Sequence, residues 1–259
     1  MTDKSIHVIK IGGRLINDPK MLMAFLDEFQ KVEGYKILVH GGGRKTTELS
    51  ALLGVETRII EGRRITNADT LEIAIMVFAG LINKSMVAQL QSRQVNALGL
   101  CGADGDIIRS QKRPVKDIDF GYVGDIKNVD GKSLFNLMER GIVPVLSAIT
   151  HDGQGQLLNT NADTIAAQTA IALTQYGEVS LSYCFEYLGV LYDLDEPQMT
   201  MSSINEGEFI NMKTSGSINS GMIPKLSNGF DALKGKVSQV HICGIENLVS
   251  LHRASALAL

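Results

Sequence analysis

Apolar positions along the chain fall into two rhythms, short unbroken runs and longer stretches at helical spacing, and their alternation predicts strands and helices in turn. Ile6, Val8, Ile9 and Ile11 read as a buried first strand. Asp18 and Pro19 then form an N-cap and first-turn pair, and Leu22, Phe25, Leu26 and Phe29 follow at the spacing of an amphipathic helix lying on a sheet. Residues 36–40 predict a second strand and 45–53 a second helix. Thr66 and Asp69 read as a capping box for a helix running to about Gln91. The first half of that helix is apolar nearly all round, so it has to be covered on both faces.

Further along, 98–101 predicts an inner strand, 107–127 hairpins, and Asp130 the cap of a helix that Gly141 ends. Residues 143–147 form the next predicted strand, and Gly153 and Gly155 mark a turn before 157–159. Asn161 is placed to cap a helix over 160–174, with Asp163 in its first turn. Later strands are predicted at 180–185 and 237–243, with 202–212 helical between them. Residues 215–225 form a Gly/Ser loop that enters a helix through Pro224, a residue tolerated only in a first turn. The pattern is that of an α/β protein with a mostly parallel sheet and some antiparallel additions, and no linker, repeat or low-complexity segment divides it.

Composition narrows the function without supplying it. The chain has 259 residues, 44% hydrophobic and 20% charged, which is ordinary for a globular protein with a sizeable core. A net charge of -3 with no basic stripe argues against nucleic acid as a partner, so any phosphate recognition must be local. The three cysteines make no CxxC and the five histidines no HExxH, so no protein-built metal site is expected and a reducing cytoplasm is the simplest setting. The sequence reads as having neither a signal peptide nor an apolar run long enough to span a bilayer, and no membrane partner is expected.

The candidate chemistry lies where strands end in glycine. Lys10 is followed by Gly12 and Gly13, and His40 by Gly41, Gly42 and Gly43, so strand, glycine loop and helix start recur within a short stretch. Such a helix start offers unpaired amides and a positive dipole end to an anion. Neither GxxxxGK[ST] nor GxGxxG occurs, and the GKS at 131–133 lacks the upstream glycine. Lys225 falls at the positive end of a helix, which is locally unfavourable and marks a functional position unless its charge is simply solvated. Asp163 in a first turn is open to either reading, dipole stabilisation or chemistry.

Five motifs follow one another over nearly the whole chain: KIGG at 10–13, HGGG at 40–43, a GxRxT-like run at 62–66, LNTNAD at 158–163 and SGMIPK at 220–225. On these the sequence resembles the amino acid kinase superfamily, and specifically the N-acetylglutamate kinases of arginine biosynthesis. The resemblance implies a three-layer αβα sandwich around a mostly parallel open sheet, the amino acid kinase (carbamate kinase-like) fold, in a single domain over 1–259. Residues 1–176 would form an acceptor-binding lobe carrying a dimer helix, and 177–259 a nucleotide-binding lobe. The implied reaction passes the γ-phosphoryl group of ATP to the γ-carboxylate of N-acetyl-L-glutamate, giving N-acetylglutamyl 5-phosphate in the second step of arginine biosynthesis. Mg²⁺ would arrive with the nucleotide.

By the same resemblance, Lys10 and Lys225 correspond to the lysines that stabilise the transferring phosphoryl group, and Asp163 to the carboxylate that holds both. The amides of Gly12, Gly13, Gly42 and Gly43 would bind phosphate and acceptor oxygens. Gly42 and Gly43 join Arg64 and Asn159 on the acceptor side; Gly12 and Gly13 join Cys184, Phe185, Ser217 and Asn219 on the nucleotide side. Where the family usually has a Ser/Thr–Asp pair closing the strand before the nucleotide, this chain has Tyr183, Cys184, Phe185 and Glu186. A homodimer built on the helix that starts near Thr66 is also implied.

The chemistry agrees with these assignments. A carboxylate nucleophile is already ionised at neutral pH, so the task is to bring an anion to a polyanion, which positive charge and oriented amides address directly. Alternatives remain. The acceptor could be N-succinyl-L-glutamate, which needs an extra cation near the acyl end, with Arg58, Arg63 and Lys112 as candidates. Carbamate, aspartate or a nucleoside monophosphate fits Arg64 and LNTNAD less well. A non-catalytic ligand sensor of the same fold is the reading from another class.

Overall fold

The computed structural model describes residues 5–60, 63–191, 200–218, 221–250 and 254–259. Strand β1 (Ser5–Ile11) buries Ile6, Val8, Ile9 and Ile11, as a strand covered on both faces requires. It passes through Gly12 into the short helix α1 (Gly13–Asn17) and then α2 (Pro19–Lys31), which the Asp18 carboxylate caps by accepting the Lys20 and Met21 amides. β2 (Tyr35–His40) runs through two glycines into α3 (Gly43–Leu52), and a hairpin of β3 (Ile59–Ile60) and β4 (Arg63–Arg64) follows.

The long apolar helix forms in three pieces: α4 (Ala68–Ile75), a π-helical segment Met76–Ile82, and α5 (Asn83–Gln91). Its cap is Asn67, whose side chain accepts the Thr70 amide, and not the predicted box of Thr66 and Asp69. Thr66 is occupied otherwise, bridging to Gly121 and donating its hydroxyl to the Arg64 carbonyl. By length and composition alone this helix could cross a membrane, which corrects the sequence reading that no apolar run is long enough. It instead packs Ile73, Ala74, Val77, Phe78, Ile82, Met86 and Leu90 into the core and leaves Met76 and Leu81 exposed.

The chain continues through β5 (Ala97–Leu100), β6 (Ile108–Lys112), β7 (Gly124–Val129), α6 (Gly131–Glu139), β8 (Val143–Ser147), β9 (Ile149–His151), β10 (Leu157–Asn159), α7 (Ala162–Leu173) and β11 (Glu178–Cys184). Residues 202–212, predicted helical throughout, divide into strand β12 (Ser203–Asn205) and helix α8 (Glu206–Ser215). Asn205 and Glu208 close a capping box there, and this starts the helix late. Helix α9 (Met222–Lys234) and strands β13 (Gln239–Cys243) and β14 (Ser255–Ala258) complete the described chain. The last of these, β14, is antiparallel to β13 and parallel to β12.

The main sheet has eight strands in the order β12-β14-β13-β11-β1-β2-β8-β5, and the run from β13 to the edge strand β5 is parallel. Helices α6, α7 and α9 pack on one face and α2 and α5 on the other, making three layers. A smaller four-stranded sheet, β10-β9-β6-β7, and the β3-β4 hairpin supply the antiparallel additions. The chain leaves β1 toward β2 on one side and leaves β11 toward β13 on the other. Loops that part in this way open a crevice beyond the carboxyl ends of the strands, the usual ligand position in an open α/β sheet.

Candidate active site

Lys10, on β1 between the buried Ile9 and Ile11, sends its ammonium to Asp163 at the start of α7, with Nζ 2.7 Å from Oδ1. Lys225, in the first turn of α9, reaches the other carboxylate oxygen at 3.3 Å and also donates to the Gly221 carbonyl at 3.1 Å. Asp163 is not the helix cap. Asn161 fills that role by accepting the Asp163 and Thr164 amides, which frees the Asp163 carboxylate for the lysines. The Tyr183 hydroxyl donates to the Asp163 carbonyl at 3.1 Å and ties this first turn to β11.

The side chains of Lys10 and Asp163 are 9% and 8% exposed, so both charges are desolvated. Burial lowers the Lys10 pKa and the neighbouring Lys225 charge adds to this, while Asp163 opposes both. Burial alone would raise the Asp163 pKa, but the two lysines outweigh it and hold the carboxylate below its usual range. Two ammonium groups on one carboxylate leave a net positive charge in a low-dielectric place, where an anion is attracted most strongly.

Helix starts divide into two groups. Helices α2, α4, α6, α7 and α8 are each capped by a side chain, from Asp18, Asn67, Asp130, Asn161 and Asn205. Helices α1, α3 and α9 start at Gly12, Gly42 and Gly221 with no side-chain cap. First-turn amides of a helix have no intrahelical partner, so of these three glycine starts those of α1 and α3 keep donors that the capped helices have satisfied. All three adjoin the lysine–carboxylate group in sequence or space: Gly12 follows Lys10 on β1, Gly221 accepts from Lys225, and a Cβ on Gly41 would lie 3.5 Å from Ala162 beside Asp163.

The predicted glycines are not equivalent. The Gly12 amide donates to the Cys184 carbonyl at 2.7 Å, so it is already spent and corrects the expectation that it faces phosphate. What Gly12 provides is close approach, since a Cβ there would lie 3.1 Å from Phe185 Cβ and 3.2 Å from the Cys184 carbonyl. Gly13, the first residue of α1, has open space around its Cβ position. Gly42 and Gly43 open α3, and the Gly43 carbonyl accepts from Arg64 Nη2 at 2.8 Å.

Arg64 is buried on β4, with Nη2 also donating to Thr47 Oγ1 at 2.7 Å. Nη1 is buried and pairs with no described residue. Burial lowers the guanidinium pKa. The Asn159 amide donates to Thr66 Oγ1 at 3.0 Å, and the Thr66 hydroxyl donates in turn to the Arg64 carbonyl at 3.0 Å, so one short chain of bonds links the two predicted acceptor residues. Thr47 and Thr66 are the partners that sequence reasoning did not assign to the site. Thr66 lies inside the GxRxT-like run, so a signal was present there.

On the nucleotide side the predicted residues differ in exposure. Cys184 is buried in the sheet opposite Cys243, and Phe185 is buried with its amide on the Cys243 carbonyl, so neither side chain lies open to a ligand. A hydrogen bond with the neighbouring Cys243 thiol and, after it, burial push the Cys184 pKa up, which keeps it a neutral thiol. Ser217 is exposed just past α8, bonded to the Met212 carbonyl and the Ser215 hydroxyl. Asn219, Gly62 and Ser220 lie outside the described residues.

His40, between β2 and the second glycine loop, is fully buried, and desolvation pulls its pKa down from 6.5 to about 4. A histidine held neutral in the fold but free to protonate when unfolded favours the folded state fully above its unfolded pKa. That contribution is lost as pH falls from 6.5 toward 4, and amounts to roughly 3 kcal/mol. His7 and His241 are lowered by burial too and act in the same sense. Stability from urea unfolding is therefore expected to climb with pH through this window, and a flat profile would contradict the buried neutral ring.

Comparison with known proteins shows the family. Residues 5–244 match the amino acid kinase family. The acetylglutamate kinase of Cytophaga hutchinsonii is 49% identical over 249 residues, covering 96% of this chain and 94% of that one. That of Bacteroides fragilis is 50% identical over 239 residues, covering 92% of each chain. Among solved structures, an N-acetylglutamate synthase from Neisseria gonorrhoeae, complexed with coenzyme A and N-acetyl-glutamate, superposes with a TM-score of 0.81 at 21% identity, over 99% of this chain and 59% of that one. Carbamate kinase from Giardia lamblia bound to AMP-PNP gives 0.71 at 12% identity, over 99% and 98%. With residues 5–244 matching the family and about half of its residues shared with those kinases over nearly its whole length, the chain belongs to the amino acid kinase family, among the acetylglutamate kinases.

Proposed function

We propose that the protein transfers the γ-phosphoryl group of ATP to the γ-carboxylate of N-acetyl-L-glutamate, forming N-acetylglutamyl 5-phosphate for arginine biosynthesis in the cytoplasm. The observation that carries this reading is the pair of lysines on one buried aspartate beside helix starts left without side-chain caps. The acceptor carboxylate needs no base, and its attack on phosphorus adds negative charge to a group that is already anionic. Lys10 and Lys225 neutralise that charge, Asp163 keeps them at fixed separation, and the amides at Gly13, Gly42 and Gly43 orient oxygens. The donors here are ammonium and amide groups, complementary to phosphate oxygens and not to a metal cation. Mg²⁺ would therefore be held by the nucleotide phosphates and water, with its usual charge neutralisation.

Arg64 is assigned to the acceptor's α-carboxylate and Asn159 to its acylamino group, with residues 1–176 as the acceptor lobe and 177–259 as the nucleotide lobe. One observation supports a second acceptor, N-succinyl-L-glutamate. Lys112 Nζ lies 4.8 Å from the centre of the Tyr122 ring, and the Tyr122 carbonyl accepts the Asn159 backbone N–H at 2.9 Å, so a cation packs on the residue paired with Asn159. A coupled assay of ADP release with each acyl-glutamate, alone and in competition, decides between them. Release with neither acceptor sinks the kinase reading in favour of a ligand sensor.

A homodimer is part of the same reading. Met76 and Leu81 are 51% and 53% exposed on the long apolar helix, and a twofold partner presenting the same helix would cover them. Light scattering at micromolar concentration is expected to give twice the mass of the chain. A monomeric mass would remove the dimer from the proposal.

A further inference from the structure

Behind the second glycine loop lies a chain of buried polar groups that phosphoryl transfer does not itself use. His40 has Nδ1 2.9 Å from the Gly41 carbonyl and Nε2 3.0 Å from Asn83 Nδ2. Asn83 is 1% exposed at the start of α5, where the π-helical segment gives way to α-helix. Its Nδ2 also donates to the Val145 carbonyl at 2.9 Å. Its Oδ1 accepts from Lys84 Nζ at 3.1 Å, and that ammonium donates to the Gly99 carbonyl at 2.9 Å as well.

Each contact fixes the next. A carbonyl only accepts and an ammonium only donates, so Val145 and Lys84 together assign both ends of the Asn83 amide. Asn83 must then present N–H to His40 Nε2, which accepts it, and the single proton of the neutral ring sits on Nδ1. From there it bonds the Gly41 carbonyl. In a trans peptide C=O and N–H point in opposite directions, so a Gly41 carbonyl drawn onto the ring turns the Gly42 amide away from it. The same helix confines the loop sterically. A Cβ on Gly42 would lie 2.4 Å from Ile82 Cδ1 and 2.8 Å from Phe78 Cδ1, both on the π-helical segment.

We infer that Asn83 and Lys84 are positioning residues that set the His40 tautomer and through it aim the Gly42 amide at the acceptor. The last clause rests on the proposed function; the tautomer does not. A flipped Asn83 amide would turn Oδ1 to Nε2, move the ring proton there and leave the Gly41 carbonyl without its donor. The outer helix and the substrate loop are thus joined by a path of assigned protons.

Nitrogen-15 NMR of the histidine-labelled protein, with steady-state kinetics on the same samples, tests this. The wild type is expected to show a protonated Nδ1 and a bare Nε2 for His40. Asn83→Asp places an acceptor against Nε2 and is expected to move a proton there while lowering kcat/KM for the acceptor by about 100-fold, the scale of a misaimed group. The KM for ATP should stay within about twofold, since the Gly42 loop is assigned to the acceptor. Lys84→Met removes an exposed cation with its bonds to Asn83 Oδ1 and the Gly99 carbonyl and puts no new charge in the core, so it keeps the test open if Asn83→Asp does not fold; mixed tautomers and about a tenfold loss are expected. A wild-type Nε2–H tautomer overturns the inference. So does a variant whose tautomer and turnover per folded molecule are unchanged while its Tm falls, and so does a changed tautomer with unchanged kinetics. If the wild type phosphorylates no acyl-glutamate, the kinase reading fails by itself, and the NMR result still decides the tautomer.

Discussion

Lys10→Ala and Lys225→Ala should each lower kcat by about 100- to 1000-fold, the loss seen when one preorganised donor to developing charge is removed. Substrate KM values should move much less, because the lysines act most strongly on charge that appears in the transition state. Near-normal turnover in either variant would falsify the assignment. Asp163→Asn separates two roles for the carboxylate. Asn161 holds the helix start, so the cap survives the change, whereas Lys10 and Lys225, with side chains 9% and 15% exposed, lose their counter-charge. Removing one partner of a buried ion pair typically costs about 3–5 kcal/mol, compared with about 1 kcal/mol for a lost cap. Urea unfolding of Asp163→Asn should show the larger figure together with a kcat loss like that of the lysine variants.

The stability from Asp163 also has a pH signature of its own. Its pKa is held below the ordinary 3.8, so the contribution is present above that value and is lost as pH falls through the lower folded value. The histidine effect operates at higher pH, between about 4 and 6.5. The two can therefore be told apart in one series of unfolding curves.

The parts of the fold legible in the sequence are those written in local patterns. Runs such as 6–11 and 36–40 are buried strands because apolar residues dominate them; the polar ones are His7 and Lys10 in the first and, in the second, His40 and Lys36, whose ammonium caps carbonyls at the end of α2. Asp18, Asp130 and Asn161 cap as predicted because an N-cap needs only its own helix. What was misread depends on partners remote in sequence. Thr66 looked like a cap and is held by Phe120 and Gly121 in a bridge that no local pattern encodes. Gly12 looked like an open amide and is taken by Cys184, a strand partner far along the chain. Cys184 and Phe185 sat where a nucleotide contact was expected, but the register of β11 against β13 turns Cys184 toward Cys243 inside the sheet. The π-helical segment was invisible for a related reason. Its composition is that of any apolar helix, and its consequence is that Phe78 and Ile82 close on Gly42.

Arg64→Lys should raise the acceptor KM and lower kcat/KM for the acceptor by about 10- to 100-fold, with the ATP KM unchanged. The expectation comes from how the guanidinium is divided. Nη2 is committed to the Gly43 carbonyl and Thr47, which fixes its plane, and buried Nη1 has no partner among the described residues. A buried donor left unpaired costs about 1–3 kcal/mol, and an incoming carboxylate would relieve that cost by accepting from it. Lysine cannot serve both purposes, because its single ammonium, on an unbranched stem, either bonds Gly43 and Thr47 or turns to the ligand. Thr47→Val offers the complementary test. It removes the support of the plane and leaves the charge, so it should raise the acceptor KM in the same direction and by less than Arg64→Lys does. If Arg64 were only a structural strut between β4 and α3, both changes would lower Tm and leave the acceptor KM of the folded enzyme where it was.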